Sequence, residues 1–345
     1  MVKKTDDSYY HVRGAIYIPS RAYNAYQMWN DMNQKETIRD MRYAQSLDLN
    51  AIRIWVSYEY WLEQPEELKE KFNMFLDMCS QYKIRVMPSL FENCGREGGK
   101  EVWVDRNPMT SIALRSPSTN VAQDKAQWTK PQEYIEWFMS NFGEDKRLLA
   151  IEIINEPHVK GKNENMDFAV KMLETASKRK KSIPLTIGCI NLTHNLFFME
   201  AGLDILQFHE NFPQSEKMLE NLLIEASVLQ RITGKPVWIT EWQRVRPSGN
   251  GWNNKQITEE EKLPKLRSLA HIIKNYDIGS FFWSLMLKPA YLKPQRLNGT
   301  FNGIFHEDGF VYNLDDAKSI NDQFNGKELK SKPKWYLEDI KDHQR

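Results

Sequence analysis

The 345-residue sequence predicts an α/β fold, a single-domain (β/α)8 TIM barrel. Three observations lead there. Short apolar strands alternate with amphipathic helices along the chain, which implies a parallel sheet with helical crossovers. Eight strand candidates can be counted, the number that closes such a sheet on itself. The turn after the first of them, IYIPSRAYN, lacks the glycine-rich phosphate loop that an open doubly wound sheet carries at that point.

The strand candidates are 12–18, 51–56, 84–90, 149–155, 185–190, 205–209, 236–241 and 279–285. Helical spacing of apolar residues separates them. Residues 35–47 put Ile38, Met41, Ala44 and Leu47 on one face, and 66–81 do the same with Leu68, Phe72, Phe75, Leu76 and Cys79. Residues 131–142, 166–177, 217–233 and 262–275 read as helices on the same grounds. Long βα loops follow strand 3 (91–130) and strand 8 (286–318), on the face where barrels of this kind keep their active sites. The barrel should occupy about residues 12–320, with 321–345, which carry Trp335 and Tyr336, packing back as a last helix or tail.

Composition excludes several classes of function. The formal net charge is +1, from 47 basic and 46 acidic residues, so there is no field of one sign to hold nucleic acid or an anionic membrane. Cys79, Cys94 and Cys189 form no CxxC pair, which argues against a thiolate zinc site. They read as free thiols, Cys79 and Cys189 as core residues. The start, MVKKTDDSYYHVRG, has no apolar stretch of the signal-peptide kind, and no run approaches the roughly 18 apolar residues of a membrane span. The chain reads as soluble, monomeric and cytoplasmic, or as exported if a leader has been trimmed. Aromatic residues make up 12% of it, more than a core needs, and the C–H face of a pyranose packs well on such rings.

Two segments carry chemistry. In IEIINEP, residues 151–157, an apolar strand ends in Asn155–Glu156 and Pro157 stops it. Asn155 is then placed to bond a sugar hydroxyl. In PVWITEW, residues 236–242, a second apolar strand ends in Glu241. Strands 4 and 7 face each other across a barrel mouth. Glycosidic bond hydrolysis with retention needs one carboxylic acid to protonate the leaving oxygen and one carboxylate to attack the anomeric carbon, about 5–5.5 Å apart, in environments that keep the acid protonated and the nucleophile ionised.

On these segments the chain resembles the clan A glycoside hydrolases, most closely the cellulase-like group around glycoside hydrolase family 5, over about residues 12–314. The resemblance implies Glu156 as acid/base and Glu241 as nucleophile. It implies that Arg53, in NAIRIWVS, supports the nucleophile, that His209, in LQFHENF, lines the site, and that Trp283, in FFWSLM, floors a sugar subsite. Two places depart from the family pattern. Its strand-6 His-x-Tyr reads His209–Glu210–Asn211 here, so either Asn211 or a Tyr from another loop takes the place of that Tyr. Its strand-3 His is replaced by Phe91–Glu92–Asn93, so Glu92 and Glu210 join the candidates for substrate contact. Further candidates are Tyr17, Arg21, Trp55, Tyr58, Asn93, Trp242 and Trp252. Glu152 shares the alternation phase of Glu156, points inward and needs a cation such as Arg53 or Arg13.

The expected activity is that of a retaining β-glycoside hydrolase working by double displacement on β-linked glycans or oligosaccharides, with no metal and no cofactor. The HEDG run at 306–309 is too local to change that. Exo-action of the β-mannosidase or β-galactosidase kind and endo-glycanase action both stay open. The rival reading is a catalytically silent sugar-binding barrel.

Overall fold

A computed structural model of the chain describes residues 7–157, 163–249 and 257–343. Its centre is a parallel sheet of β1 (Arg13–Ile16), β2 (Ala51–Trp55), β3 (Arg85–Glu92), β4 (Ile151–Asn155), β5 (Leu185–Gly188), β6 (Leu206–Glu210), β7 (Val237–Trp242) and β8 (Gly279–Phe282). The order is β5-β4-β3-β2-β1-β8-β7-β6, and one parallel bridge between Thr186 and Ile205 joins the two ends into a barrel. Every residue of β2, β4 and β7 is buried, as expected for parallel strands covered on both faces.

The outer layer is formed by helices Gln34–Ser46, Pro65–Ser80, Thr129–Phe142, Asn163–Lys178, Glu216–Thr233 and Arg267–Ile273. Local sequence sets their ends. The Asn33 side chain accepts from the amides of Lys35 and Glu36, Ser215 accepts from Met218, and Gly234, at φ 65°, ends the helix that Ser215 begins. The helix expected over 262–275 is shorter than its periodicity suggested. Pro264 disfavours helical backbone at Leu263, so a 3-10 turn (Glu260–Lys262) is followed by a separate helix at Arg267. Short helices Ala25–Asn30 and Tyr58–Glu63, and a hairpin of β9 (Lys288–Pro289) with β10 (Phe301–Asn302), lie in segments read as loops. The C-terminal helix Lys334–His343 docks Trp335 and Tyr336 against Leu287 and Phe301.

The barrel interior is filled in layers. At the bottom, Trp238 and Phe281 are fully buried, and Tyr9 stacks on Trp238 while its carbonyl accepts from the indole N–H at 2.7 Å. Gly14 and Gly279 make room for these rings. A Cβ on Gly279 would stand 2.4 Å from the Trp238 ring and one on Gly14 2.3 Å from Phe281. Above them Gln207 donates to Thr186 and accepts from Thr240. Those bonds satisfy a buried amide beneath the charged layer that follows. Gly279→Ala should therefore destabilise the protein by about 1–3 kcal/mol, read as a lower urea midpoint at unchanged slope.

Candidate active site

The site grows upward from Arg53. Its place on β2 points it into the barrel, where it is fully buried. Its Nε and Nη2 donate to the two Glu152 oxygens at 2.8 and 2.6 Å, Nη2 also to Asn155 Oδ1 at 2.6 Å, and Nη1 to Glu241 Oε1 at 2.7 Å. The guanidinium lies over the Trp55 ring, 4.8 Å from its centroid. Glu152 thus takes Arg53 as its cation, while Arg13 pairs with Asp48 at the surface.

Glu152 and Asn155 are three residues apart yet meet the same guanidinium. A simple pleat would point them to opposite faces. The pairing of β4 with β5 shifts register between them, and that of β7 with β8 shifts between Ile239 and Trp242. Irregularities of this kind re-aim side chains at barrel rims. Gly188 on β5 leaves the necessary room, since a Cβ there would lie 2.9 Å from Asn155 Oδ1 and 3.0 Å from Glu152 Oε1.

Glu241 ends up opposite His209 in the β6–β7 register. Arg53 holds its Oε1, and Asn211 Nδ2 donates to its Oε2 at 2.9 Å, with Gln243 bonded behind Asn211 at 3.0 Å. Asn211 is therefore the residue that meets Glu241 where a Tyr was the alternative. Glu156 follows β4 at φ 47°, a left-handed conformation uncommon outside glycine. His209 Nδ1 bonds its Oε1 at 2.6 Å and stands 3.6 Å from Glu241 Oε1. The Cys94 thiol donates to its Oε2 at 2.9 Å. One oxygen of Glu156, one of Glu241 and a ring nitrogen of His209 all lie within 4.8 Å of one another.

This trio is the one cluster of metal-ligating type found among the described residues. Its 2.6 Å contact is the length of a shared proton. Two ligands of one tetrahedral ion would be about 3.4 Å apart. Burial opposes charge on both partners of that contact. The His209 bond and charge, with the Cys94 thiol and Arg53, nevertheless hold the Glu156 carboxyl below its ordinary value. Glu241 and Glu156 raise the His209 imidazole against its burial. The two titrate as a pair that keeps a proton between them.

The remaining candidates divide. Glu92 accepts from Asn155 Nδ2 at 3.0 and 3.1 Å and from the Cys94 amide at 2.6 Å. Burial pushes its carboxyl up to about 8, against those two bonds and helped by the charges of Glu156 and Glu241. Asn93 Nδ2 donates to the Glu156 carbonyl at 2.8 Å. Trp55, Trp283 and Tyr291 form an aromatic group with centroids 5.7–6.0 Å apart beside Arg53. Tyr291 comes from the β8 loop and was not among the expected residues. Tyr17, expected at the mouth, lies on the outer side of β1, stacked on Phe75 and donating to Asp40 at 3.0 Å, because its inward neighbour is Ile16. Tyr58 packs among Trp61, Phe91 and Tyr134, Arg21 pairs with Glu307, and Trp242 is buried against Phe282. Glu210 takes no hydrogen bond from the carboxylate network, and burial raises its carboxyl. Trp252 lies outside the described residues. Cys94, Gly188 and Gln243 were missed, since none carries a periodic or strand-end signal.

No family model matches the chain, and no curated protein matches it in sequence. Solved structures do share its fold. An exo-β-1,4-mannosidase from Opitutaceae bacterium strain TAV5 superposes with TM-score 0.62 at 15% identity, over 89% of this chain and 57% of that one. GH5_18 from Streptomyces cattleya in complex with GlcNAc gives 0.60 at 12% identity, over 92% and 82%. A glycoside hydrolase family 5 mannosidase from Rhizomucor miehei gives 0.57 at 12%, over 96% and 94%. The chain spans little more than half of the first of these and most of the other two. At such identities the likeness is one of fold.

Two outcomes follow from the charges. Arg53→Met leaves Glu152 without its cation and takes one donor from Glu241, and should lower stability at pH 7 by about 3–5 kcal/mol in chemical denaturation. Glu92 has a folded value near 8 against 4.5 for the free group. Between those values the folded state binds the extra proton, so stability falls as pH rises. The melting temperature of Glu92→Gln relative to wild type should therefore climb from pH 5 to pH 8 and level off above. A constant difference would place the ionised carboxylate in the folded site throughout.

Proposed function

We propose that the protein is a retaining β-glycoside hydrolase with Glu156 as acid/base and Glu241 as nucleophile. The observation that carries this reading is the pair itself, two carboxylates at the ends of β4 and β7 with an oxygen of each within 4.8 Å. That spacing favours a nucleophile and an acid over the wider pair with which an inverting enzyme seats its water.

In the first step a Glu241 oxygen bonds the anomeric carbon while the glycosidic C–O bond breaks. Glu156 gives its proton to the leaving oxygen. Arg53 and Asn211, one on each Glu241 oxygen, fix the attacking carboxylate and favour its charged form. In the second step Glu156, now a base, takes a proton from water, whose oxygen displaces Glu241 from the sugar. The proton between His209 and Glu156 supplies the acid at the start of each cycle. The Trp55–Trp283–Tyr291 group offers the apolar surface for the ring next to the scissile bond.

The Glu156 side chain is 15% exposed and that of Glu241 6%. The long loops after β3 and β8, placed to wall one end of a cleft, favour a pocket that takes a chain end, hence exo-action. Mannosidases among the structures that share the fold put β-mannosides at the head of the substrate panel. Aryl β-glycosides and β-linked oligosaccharides should be assayed with wild type, Glu156→Ala and Glu241→Ala. The Glu156 variant should lose about 10²–10⁴-fold on poor leaving groups, and azide should rescue it to a β-glycosyl azide. The Glu241 variant should be inactive until azide yields the α-anomer. Saturable sugar binding without turnover by wild type would establish the silent barrel instead.

A further inference from the structure

We propose that the Cys94 thiol is a positioning residue for the Glu156 carboxylate, held against it by the strand-end pair Glu92–Asn93. The inference rests on the reading of Glu156 as acid/base and extends it to a residue without a role in that reading.

The geometry is a clip of strand 3 on strand 4. The Asn93 amide donates to the Asn155 carbonyl at 3.1 Å, and its side chain to the Glu156 carbonyl at 2.8 Å. Asn165 anchors Asn93 from behind at 3.2 Å. Glu92 accepts the Cys94 amide at 2.6 Å and the Asn155 side chain on its two oxygens. Glu92 is itself fixed to the long β3 loop by exchanging both backbone bonds with Ser116 at 2.7 Å. Gly95, at φ 88°, turns the chain away at once, and a Cβ there would strike the Ala113 carbonyl at 2.3 Å. Cys94 is thus delivered to one place, with Sγ 2.9 Å from Glu156 Oε2. From the other side Glu156 N–H donates to the Gly188 carbonyl at 2.8 Å and His209 takes Oε1. These contacts hold Glu156 in its left-handed backbone conformation, which a residue with a side chain keeps only when its surroundings insist on it.

The thiol acts as a donor. Burial, with the charges of Glu156 and Glu92, pushes its own ionisation well above the usual thiol range, so it stays S–H and is no nucleophile. A donor on Oε2 favours the charged form of Glu156. The other charged or titratable groups facing Glu156 are Glu92 on β3, His209 on β6, Glu241 on β7, Arg53 on β2 and Glu152 on its own strand, and substitution at Cys94 leaves all of them in place. Losing the S–H must then raise the affinity of Glu156 for its proton, which helps the acid step and hinders the base step.

The test is the pH profile of kcat/KM for wild type, Cys94→Ala and Cys94→Ser, on a phenyl β-glycoside, which needs protonation, and a 2,4-dinitrophenyl β-glycoside, which does not. In Cys94→Ala the basic limb on the phenyl substrate should move up by about half a pH unit, the size of one weak hydrogen bond. Cys94→Ser, whose hydroxyl can donate, should return it toward wild type, and the dinitrophenyl profile, which has no limb from Glu156, should not move. A Cys94→Ala limb at the wild-type pH, with activity reduced equally on both substrates, overturns the proposal and leaves the hydrolase reading standing. Turnover of no β-glycoside by wild type overturns that reading instead. The positioning role is then still read without substrate, by 13C NMR of protein labelled at the Glu δ-carbon, with the Glu156 signal assigned by its loss in Glu156→Gln. An upward shift of its titration in Cys94→Ala supports the proposal, and an unmoved titration refutes it.

Discussion

A guanidinium shut away from water is the constraint on which the rest of the site depends. Arg53 reaches from β2 to β4 and β7 and spends its donors on Glu152, Asn155 and Glu241. A buried charge of this kind is tolerable only when partners surround it, so once Arg53 is inside the barrel the other positions follow. Glu152 must lie beneath it with both oxygens on its fork, Glu241 must lean toward it, and Asn155 must turn its oxygen to it and its nitrogen away, toward Glu92. Lysine could not do this, having no planar fork with which to grip one carboxylate and reach another. The charge that makes the interior costly is the one that holds Glu241 in place.

Much of this was legible in the sequence because it follows from periodicity. Parallel strands buried on both faces stand out as short apolar runs, and the eight counted from the sequence are the eight in the barrel. Glu156 and Glu241 were visible because a carboxylate that ends an apolar run has to sit at a mouth. Even the Arg53–Glu152 pair could be anticipated, since an inward-pointing carboxylate demands a cation. Tyr17 went wrong for a related reason. Next to inward-facing Ile16 it must face outward, and its aromatic neighbours in the sequence obscured that alternation.

What stayed hidden is what breaks periodicity or crosses loops. The register shifts in β4 and β7 let residues that alternation separates share one face, and no run of residue types announces them. Tyr291 arrives from a hairpin in the β8 loop. Cys94 meets Glu156 only because the β3 and β4 ends are clipped together, and in the sequence it is one thiol after a polar pair. The sequence gives no sign of what Asn211 and Glu92 would bond. In the fold Asn211 takes up one Glu241 oxygen, and Glu92 joins Asn155 to Cys94.

The division of labour between those glutamates is tested most directly by trapping the intermediate. Incubation with a 2-deoxy-2-fluoro-β-glycosyl fluoride of the sugar that wild type cleaves best, followed by proteolysis and mass spectrometry, should find one sugar per chain, attached to Glu241. A sugar attached to Glu156, or a product released with inverted anomeric configuration and no adduct on any residue, would contradict the account.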